Sequence, residues 1–145
     1  IRVGTAGGLD PGLVHGELIV AAEAIAADGT SRALGAGELV TADEGLTDAL
    51  RACAPAARCG TVVTSDLFYE VGEPRFEHWR SQGALAVEME AAALFAVGAL
   101  RGVAVACALA ISDVLVGPRE RIEPEALHEA GLSVGRLGAR ALGAA

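Results

Sequence analysis

The sequence predicts an α/β fold built on a twisted, largely parallel central sheet. Apolar or β-branched runs of strand length recur at Ile1–Val3, Leu18–Ala21, Arg58–Thr64 and Val103–Ile111. Segments with helical caps or helical length follow them, and that alternation is the signature of strands joined through helices. Of the 145 residues, 52% are hydrophobic and the mean hydropathy is +0.44. Such a chain buries a core, most economically as one domain over residues 1–145.

Ile1–Val3 reads as the end of a buried strand. It runs into a Gly-rich turn, Gly4-Thr5-Ala6-Gly7-Gly8, whose glycines allow close backbone approach and whose N–H groups suit an anion. A chain opening in mid-strand reads as the larger, C-terminal part of a longer domain, with an apolar sheet edge left open. Leu18–Ala21 is a strand, and the Gly-, Ser- and Thr-rich stretch Asp28–Gly37 a loop. Thr41-Ala42-Asp43-Glu44 caps a helix that runs to Cys53 and is stopped by Pro55. Arg58–Thr64 is a β-branched strand, with Ser65-Asp66-Leu67-Phe68-Tyr69 hanging from its carboxyl end. Pro74–Gln82 reads as a short helix packed through Trp79, and Glu88–Leu100 as an Ala-rich helix closed by Arg101-Gly102. Val103–Ile111 is a buried strand, and Pro124–Leu142 a C-terminal helix weakened by interior glycines. The chain shows neither repeat nor linker.

A net charge of −8, with eleven scattered basic residues, argues against a nucleic-acid surface, which needs a basic stripe. Every basic residue is Arg, and Asn is absent too, a bias that fits a GC-rich, bacterial genome. No apolar run reaches the ~18 residues of a membrane span, and no signal-peptide pattern heads the chain. Cys53, Cys59 and Cys107 form no C-x-x-C and no His-spaced set, so neither a disulfide framework nor a zinc site is expected. Reduced thiols in a cytoplasm fit, with no membrane, metal or organic cofactor.

The chemistry concentrates in Ala86-Val87-Glu88-Met89-Glu90-Ala91 and in Ser112-Asp113. Acidic residues are common in a first helical turn for local electrostatic reasons. A Glu-x-Glu there also accepts hydrogen bonds from vicinal hydroxyls, as on a sugar. In open α/β folds ligands sit at strand carboxyl ends. Gly4–Gly8, Ser65–Tyr69 and Ser112-Asp113 all lie at such ends, where the Glu88–Glu90 segment can join them.

Four motifs, Arg2-Val3-Gly4-Thr5-Ala6-Gly7, Ser65-Asp66-Leu67-Phe68-Tyr69, Val87-Glu88-Met89-Glu90-Ala91 and Ser112-Asp113, occur together in this order. In them the chain resembles the nucleoside phosphorylase superfamily of purine nucleoside phosphorylases, uridine phosphorylases and methylthioadenosine nucleosidases. The resemblance implies a three-layer α/β/α phosphorylase-type fold with a mixed, largely parallel sheet, incomplete at its N-terminus. It implies phosphorolysis of a ribonucleoside to base and ribose 1-phosphate, with inorganic phosphate as co-substrate and no cofactor. Arg2, Thr5 and Gly7 would cradle phosphate, the guanidinium fork suiting an oxyanion. Phe68 would stack on the base, Val87 and Glu88 would border it, Met89 would line the ribose, and Glu90 would hold its 2′- and 3′-hydroxyls. Ser112 would stand beside Asp113, the general acid for the departing purine, which must carry or share a proton when it acts. Arg119 or Arg121 would assist it. The alternatives weighed against these roles are a surface salt bridge for Arg2, a core place for Phe68 and a strand-end cap for Asp113.

Asp113 favours a purine. Uridine phosphorylases replace this Asp and read the pyrimidine with a Gln and an Arg after the Phe-Tyr motif, where this chain has Glu73, Pro74 and Arg75. His15, His78 and His128 match no catalytic position and read as solvated or core-edge residues. The family's N-terminal portion, which supplies a Gly and an Arg to the phosphate site and a His and an Arg to a neighbouring subunit, is not in this sequence. A homo-oligomer built of dimers, as a hexamer, is expected. A uridine phosphorylase, a methylthioadenosine-type nucleosidase and an inactive nucleoside-binding remnant stay open as alternatives.

Overall fold

The structure, a computed structural model, describes residues 1–69, 73–117 and 120–143. Its strands are β1 (Arg2–Gly8), β2 (Leu18–Ala27), β3 (Leu39–Thr41), β4 (Arg58–Ser65), β5 (Ala86–Glu88), β6 (Cys107–Val114) and β7 (Glu120–Arg121). Its helices are α1 (Gly29–Ala33), α2 (Glu44–Cys53), α3 (Glu73–Ser81), α4 (Ala91–Arg101) and α5 (Pro124–Gly143). The strands form one mixed sheet in the order β3-β2-β4-β5-β1-β6-β7. β2 also pairs with β6, so β2, β4, β5, β1 and β6 close into a ring.

The closure depends on a bend in β2. One of its edges follows β4 in parallel from Ile19 to Ala27, with a bulge at Ala22. The other edge pairs antiparallel with β6 over Leu18–Ala21 and with β3 over Glu23–Ile25. An extra residue in one strand bends it and sharpens its twist, and here the bulge is where β2 changes partner. The carbonyl of Ala22 is not wasted, since it accepts from the Ala42 N–H at 2.9 Å. This explains why a strand anticipated over Leu18–Ala21 extends to Ala27, and why the pairing of β3 was not anticipated.

Gly4–Gly8 is not a turn but the body of β1, paired along one edge with β6 over Arg2–Gly8 and on the other with β5 at Gly7 and Gly8. Its glycines serve space. A Cβ on Gly4 would sit 2.8 Å from the Arg2 guanidinium, and one on Gly7 would sit 2.5 Å from Leu115 Cδ1. Three further boundaries move. Asp28–Gly37 contains α1, capped by the Asp28 carboxylate, which accepts from Ser31 N at 2.7 Å. The strand anticipated over Val103–Ile111, β6, starts at Cys107 and continues through Ser112 and Asp113 to Val114. α4 starts at Ala91 rather than Glu88, while Gly102, at φ 63°, ends it as Arg101-Gly102 foretold.

Helices cover both faces of β6, giving the layered α/β/α arrangement. Side chains alternate along a strand: Cys107, Leu109 and Ile111 join Ile19, Val62 and the α4 residues Ala91, Ala92 and Phe95 in one core. Ala106, Ala108 and Ala110 join Val20, Leu50 of α2, and Ala130, Val134, Leu137 and Ala141 of α5 in another. The α5 residues recur every three or four positions, a helical stripe. Trp79 packs α3 on Leu9, Val63 and Ala84. Among the described residues, no helix is long and apolar enough to cross a membrane.

Candidate functional site

β1 and β5 run antiparallel and meet over two residues each, Gly7 with Val87 and Gly8 with Ala86. That contact, the end of β1 against the start of β5, joins two sets of parallel strands, β1 with β6 and β4 with β5. A cavity of about 210 Å³ opens there. Arg2, Thr5, Gly7, Phe68, Val87, Glu88, Met89, Glu90, Ser112 and Asp113 line it, and Ala6, Leu67 and Leu115 complete the wall. Arg121 stands behind the lining, its Nε 3.4 Å from Asp113 Oδ1. Arg119 lies outside the described residues. Arg75, on the first turn of α3, is exposed and not part of the lining, and neither are His15, His78 and His128.

Ser112 and Asp113 both reach the cavity because β6 bulges there. Against β1 the register passes from Ala6↔Ile111 directly to Gly7↔Asp113, leaving Ser112 as the extra residue. Bulges re-aim side chains in this way beside functional sites. The Ser112 hydroxyl donates to Asp113 Oδ2 at 3.0 Å, and β7 brings Arg121 opposite Asp113 by backbone pairing.

Glu88 is not in the first turn of a helix. It is the last residue of β5, 4% exposed, with its carboxylate committed to neighbours. It accepts from Thr64 Oγ1 at 2.5 Å, from the Glu90 N–H at 2.9 Å and from the Ala91 N–H at 2.9 and 3.0 Å. The first N–H groups of a helix have no partner within it, and an anion there is favoured by the dipole. Glu88 therefore caps α4 from outside, which is why the helix begins at Ala91. Glu90 occupies the cap position yet makes no capping bond with its side chain. That leaves its carboxylate to face the cavity.

Arg2 crosses from β1 to both carboxylates. Its Nη2 bonds Glu90 Oε2 and lies 3.6 Å from Glu88 Oε2, while Nη1 is 3.7 Å from Cys107 Sγ. Burial opposes the charge of this guanidinium, but the Cys107 sulfur and the two carboxylates outweigh it and hold Arg2 above its ordinary value. Burial pushes the Cys107 thiol up to about 12, so it faces Arg2 as a neutral group near neutral pH. At the opposite wall, the Phe68 ring is 49% exposed and meets the Tyr69 ring edge-on at 4.8 Å, so it is a surface-facing residue rather than a core one.

The cavity thus combines a guanidinium and a Thr hydroxyl at one end, a carboxylate able to accept hydroxyls beside them, and apolar walls leading to Asp113. Leu67 was within a motif read from the sequence; Leu115 was missed, although its place two residues past Asp113 on an extended segment was the available signal.

The likeness to known proteins is broad. The chain is 35% identical over 135 residues to a DeoD-type purine nucleoside phosphorylase of Geobacillus kaustophilus, covering 85% of this chain and 55% of the relative. It is 32% identical to a uridine phosphorylase of Treponema pallidum, covering 89% and 56%, and 28% identical to a guanosine phosphorylase of Halorubrum lacusprofundi, covering 83% and 52%. The chain therefore spans about half the length of the curated relatives it matches. With a family model matching residues 1–142, the chain belongs to the phosphorylase superfamily.

Proposed function

We propose that the protein is a nucleoside phosphorylase that cleaves the N-glycosidic bond of a purine ribonucleoside with inorganic phosphate. The observation that carries this reading is the convergence of Arg2, Glu90 and Asp113 on one cavity. Arg2 and Thr5 bind the phosphate dianion, the fork of the guanidinium matching two of its oxygens. Glu90 accepts hydrogen bonds from the ribose 2′- and 3′-hydroxyls, with Met89 against the sugar. Phe68, Leu67, Val87 and Leu115 enclose the flat base.

As the C1′–N9 bond breaks, its electron pair passes into the purine and C1′ gains oxocarbenium character. Bound phosphate supplies the oxygen that closes on C1′. Asp113 gives a proton to N7 of the departing base, with Ser112 and Arg121 orienting its carboxyl group; a positioned acid of this kind contributes roughly 10²–10⁴-fold. The products are free base and ribose 1-phosphate. The names of the relatives support this reaction class, and Asp113 supports purine over pyrimidine.

The test is to follow base release from inosine, guanosine and adenosine with and without phosphate. Release that requires phosphate and forms ribose 1-phosphate is expected. Equal release in phosphate-free buffer, with free ribose, identifies a nucleosidase instead; uridine as the preferred substrate identifies the activity named for the Treponema relative. No turnover of any nucleoside identifies an inactive binder.

The same reading makes the enzyme a cytoplasmic homo-oligomer built of dimers, as a hexamer. Exposed apolar side chains support it: Leu67, Phe68, Tyr69 and Met89 at the rim of the cavity, and Leu94, Val97, Leu100 and Val103 along and after α4. Light scattering on the active protein tests this, and a fully active monomer overturns it.

A further inference from the structure

We infer that Thr64 is a positioning residue that sets the geometry of the sugar and phosphate ligands without touching either. The inference rests on the proposed phosphorolysis and deepens it. Thr64 is the second-last residue of β4, 0% exposed, and does not line the cavity. Its hydroxyl does two things at once. It donates to Glu88 Oε1 at 2.5 Å and accepts from the Ala92 N–H at 2.8 Å.

These bonds divide the N-terminus of α4 between two acceptors. Glu88 takes the N–H groups of Glu90 and Ala91, and Thr64 takes that of Ala92. Without the hydroxyl, Ala92 N–H is an unsatisfied buried donor and Glu88 Oε1 an under-satisfied buried acceptor, each a costly state. Rotation of the Glu88 carboxylate toward Ala92 relieves both. That rotation carries Oε2 away from Arg2, now 3.6 Å distant, and loosens the turn that presents Met89 and Glu90. One buried hydroxyl therefore fixes the helix start that aims Glu90 and the carboxylate that steadies Arg2.

The experiment compares the intact wild-type protein with Thr64→Val, which keeps shape and strand preference but loses both hydrogen bonds, with Thr64→Ala, which adds no methyl against Ala92, and with Thr64→Ser, which restores the hydroxyl. Each is assayed for phosphate-dependent cleavage of inosine and of 2′,3′-dideoxyinosine, alongside its Tm. Misplacing a contact by about 1 Å costs up to about 10²-fold. For Val and Ala, a fall of about tenfold or more in the preference for inosine over the dideoxy substrate is expected, with a raised KM for phosphate. Ser should recover most of both.

A lowered Tm with an unchanged ratio in whichever of Val and Ala folds, or a Ser variant that fails to recover the ratio, overturns the role of Thr64 alone. A wild-type protein without phosphate-dependent cleavage overturns the reaction itself, and this role with it.

Discussion

The cation assigned to phosphate and the carboxylate assigned to ribose are bonded to each other. Phosphate alone must draw Arg2 from Glu90, and a nucleoside alone must draw Glu90 from Arg2. When both bind, the pair is broken once. The coupling between the two ligands is therefore favourable and equals the strength of the pair. The Arg2 side chain is 17% exposed and that of Glu90 52%, so the pair belongs near the top of the range for exposed ion pairs, about 1 kcal/mol. That is a factor of about five in Kd, and linkage requires it to be the same for either ligand. Titration calorimetry of inorganic phosphate, with and without an unreactive carbon-linked nucleoside analogue, measures it directly. Phosphate should bind about fivefold more tightly when the analogue is present. Glu90→Gln removes the charge but keeps an acceptor; in that variant phosphate alone should bind more tightly than to wild type, and the analogue should add nothing. A wild-type phosphate affinity that the analogue leaves unchanged or weakens refutes the reasoning, because the pair would then persist through binding or contribute nothing.

Asp113→Asn preserves shape and hydrogen bonding but delivers no proton, so purine turnover should fall by roughly 10²–10⁴ while nucleoside binding survives; full activity on inosine would make Asp113 structural. Cys107 is fully buried and its thiol is pushed up to about 12, whereas Cys59 is exposed. Mass spectrometry after brief iodoacetamide treatment should therefore find Cys59 modified and Cys107 intact, and early labelling of Cys107 in folded protein would contradict that placement. The hydrogen bond from Arg58, 3.0 Å to Asp10 Oδ1, holds the Asp10 carboxyl below its ordinary value. A lowered native value means stability that is complete above the unfolded carboxylate range and lost as pH falls through the native one. Asp10→Asn should remove that part of the acid dependence, at a neutral-pH cost of at most about 1 kcal/mol for so exposed a pair; an identical acid profile for variant and wild type would dismiss the contact as neutral.

The sequence was most legible where structure is local. α2 begins where Asp43 predicts it, with its carboxylate accepting from Leu46 N at 2.8 Å. α5 spans Pro124–Gly143, within a residue of the Pro124–Leu142 helix the sequence predicts. Legibility failed where a residue answers to a distant partner. Gly4 and Gly7 look like turn residues because backbone freedom is what glycine offers locally, yet they make room for Arg2 and for Leu115. Glu88 looks like the start of a helix because acids favour that place, yet Thr64, from another strand, holds it as a cap outside the helix. The bulges at Ala22 and Ser112 exist only as relations between strands, and no window along one strand contains them.

The candidate site shows the same division. Its members were legible through four motifs in order and the resemblance those motifs carry, with Glu88 and Glu90 also standing out as two acids ahead of an Ala-rich helix. Their partnerships were not. Arg2 meets Glu90 across 88 positions and Cys107 across 105, distances along the chain that the place of β1 between β5 and β6 brings within bonding range. The chemistry of the site therefore depends on those pairings as much as on its residues. The bulge at Ser112 then sets Asp113 opposite Gly7 in the register of β1 and β6, so that Asp113 joins Thr5, Gly7 and Glu90 around one cavity.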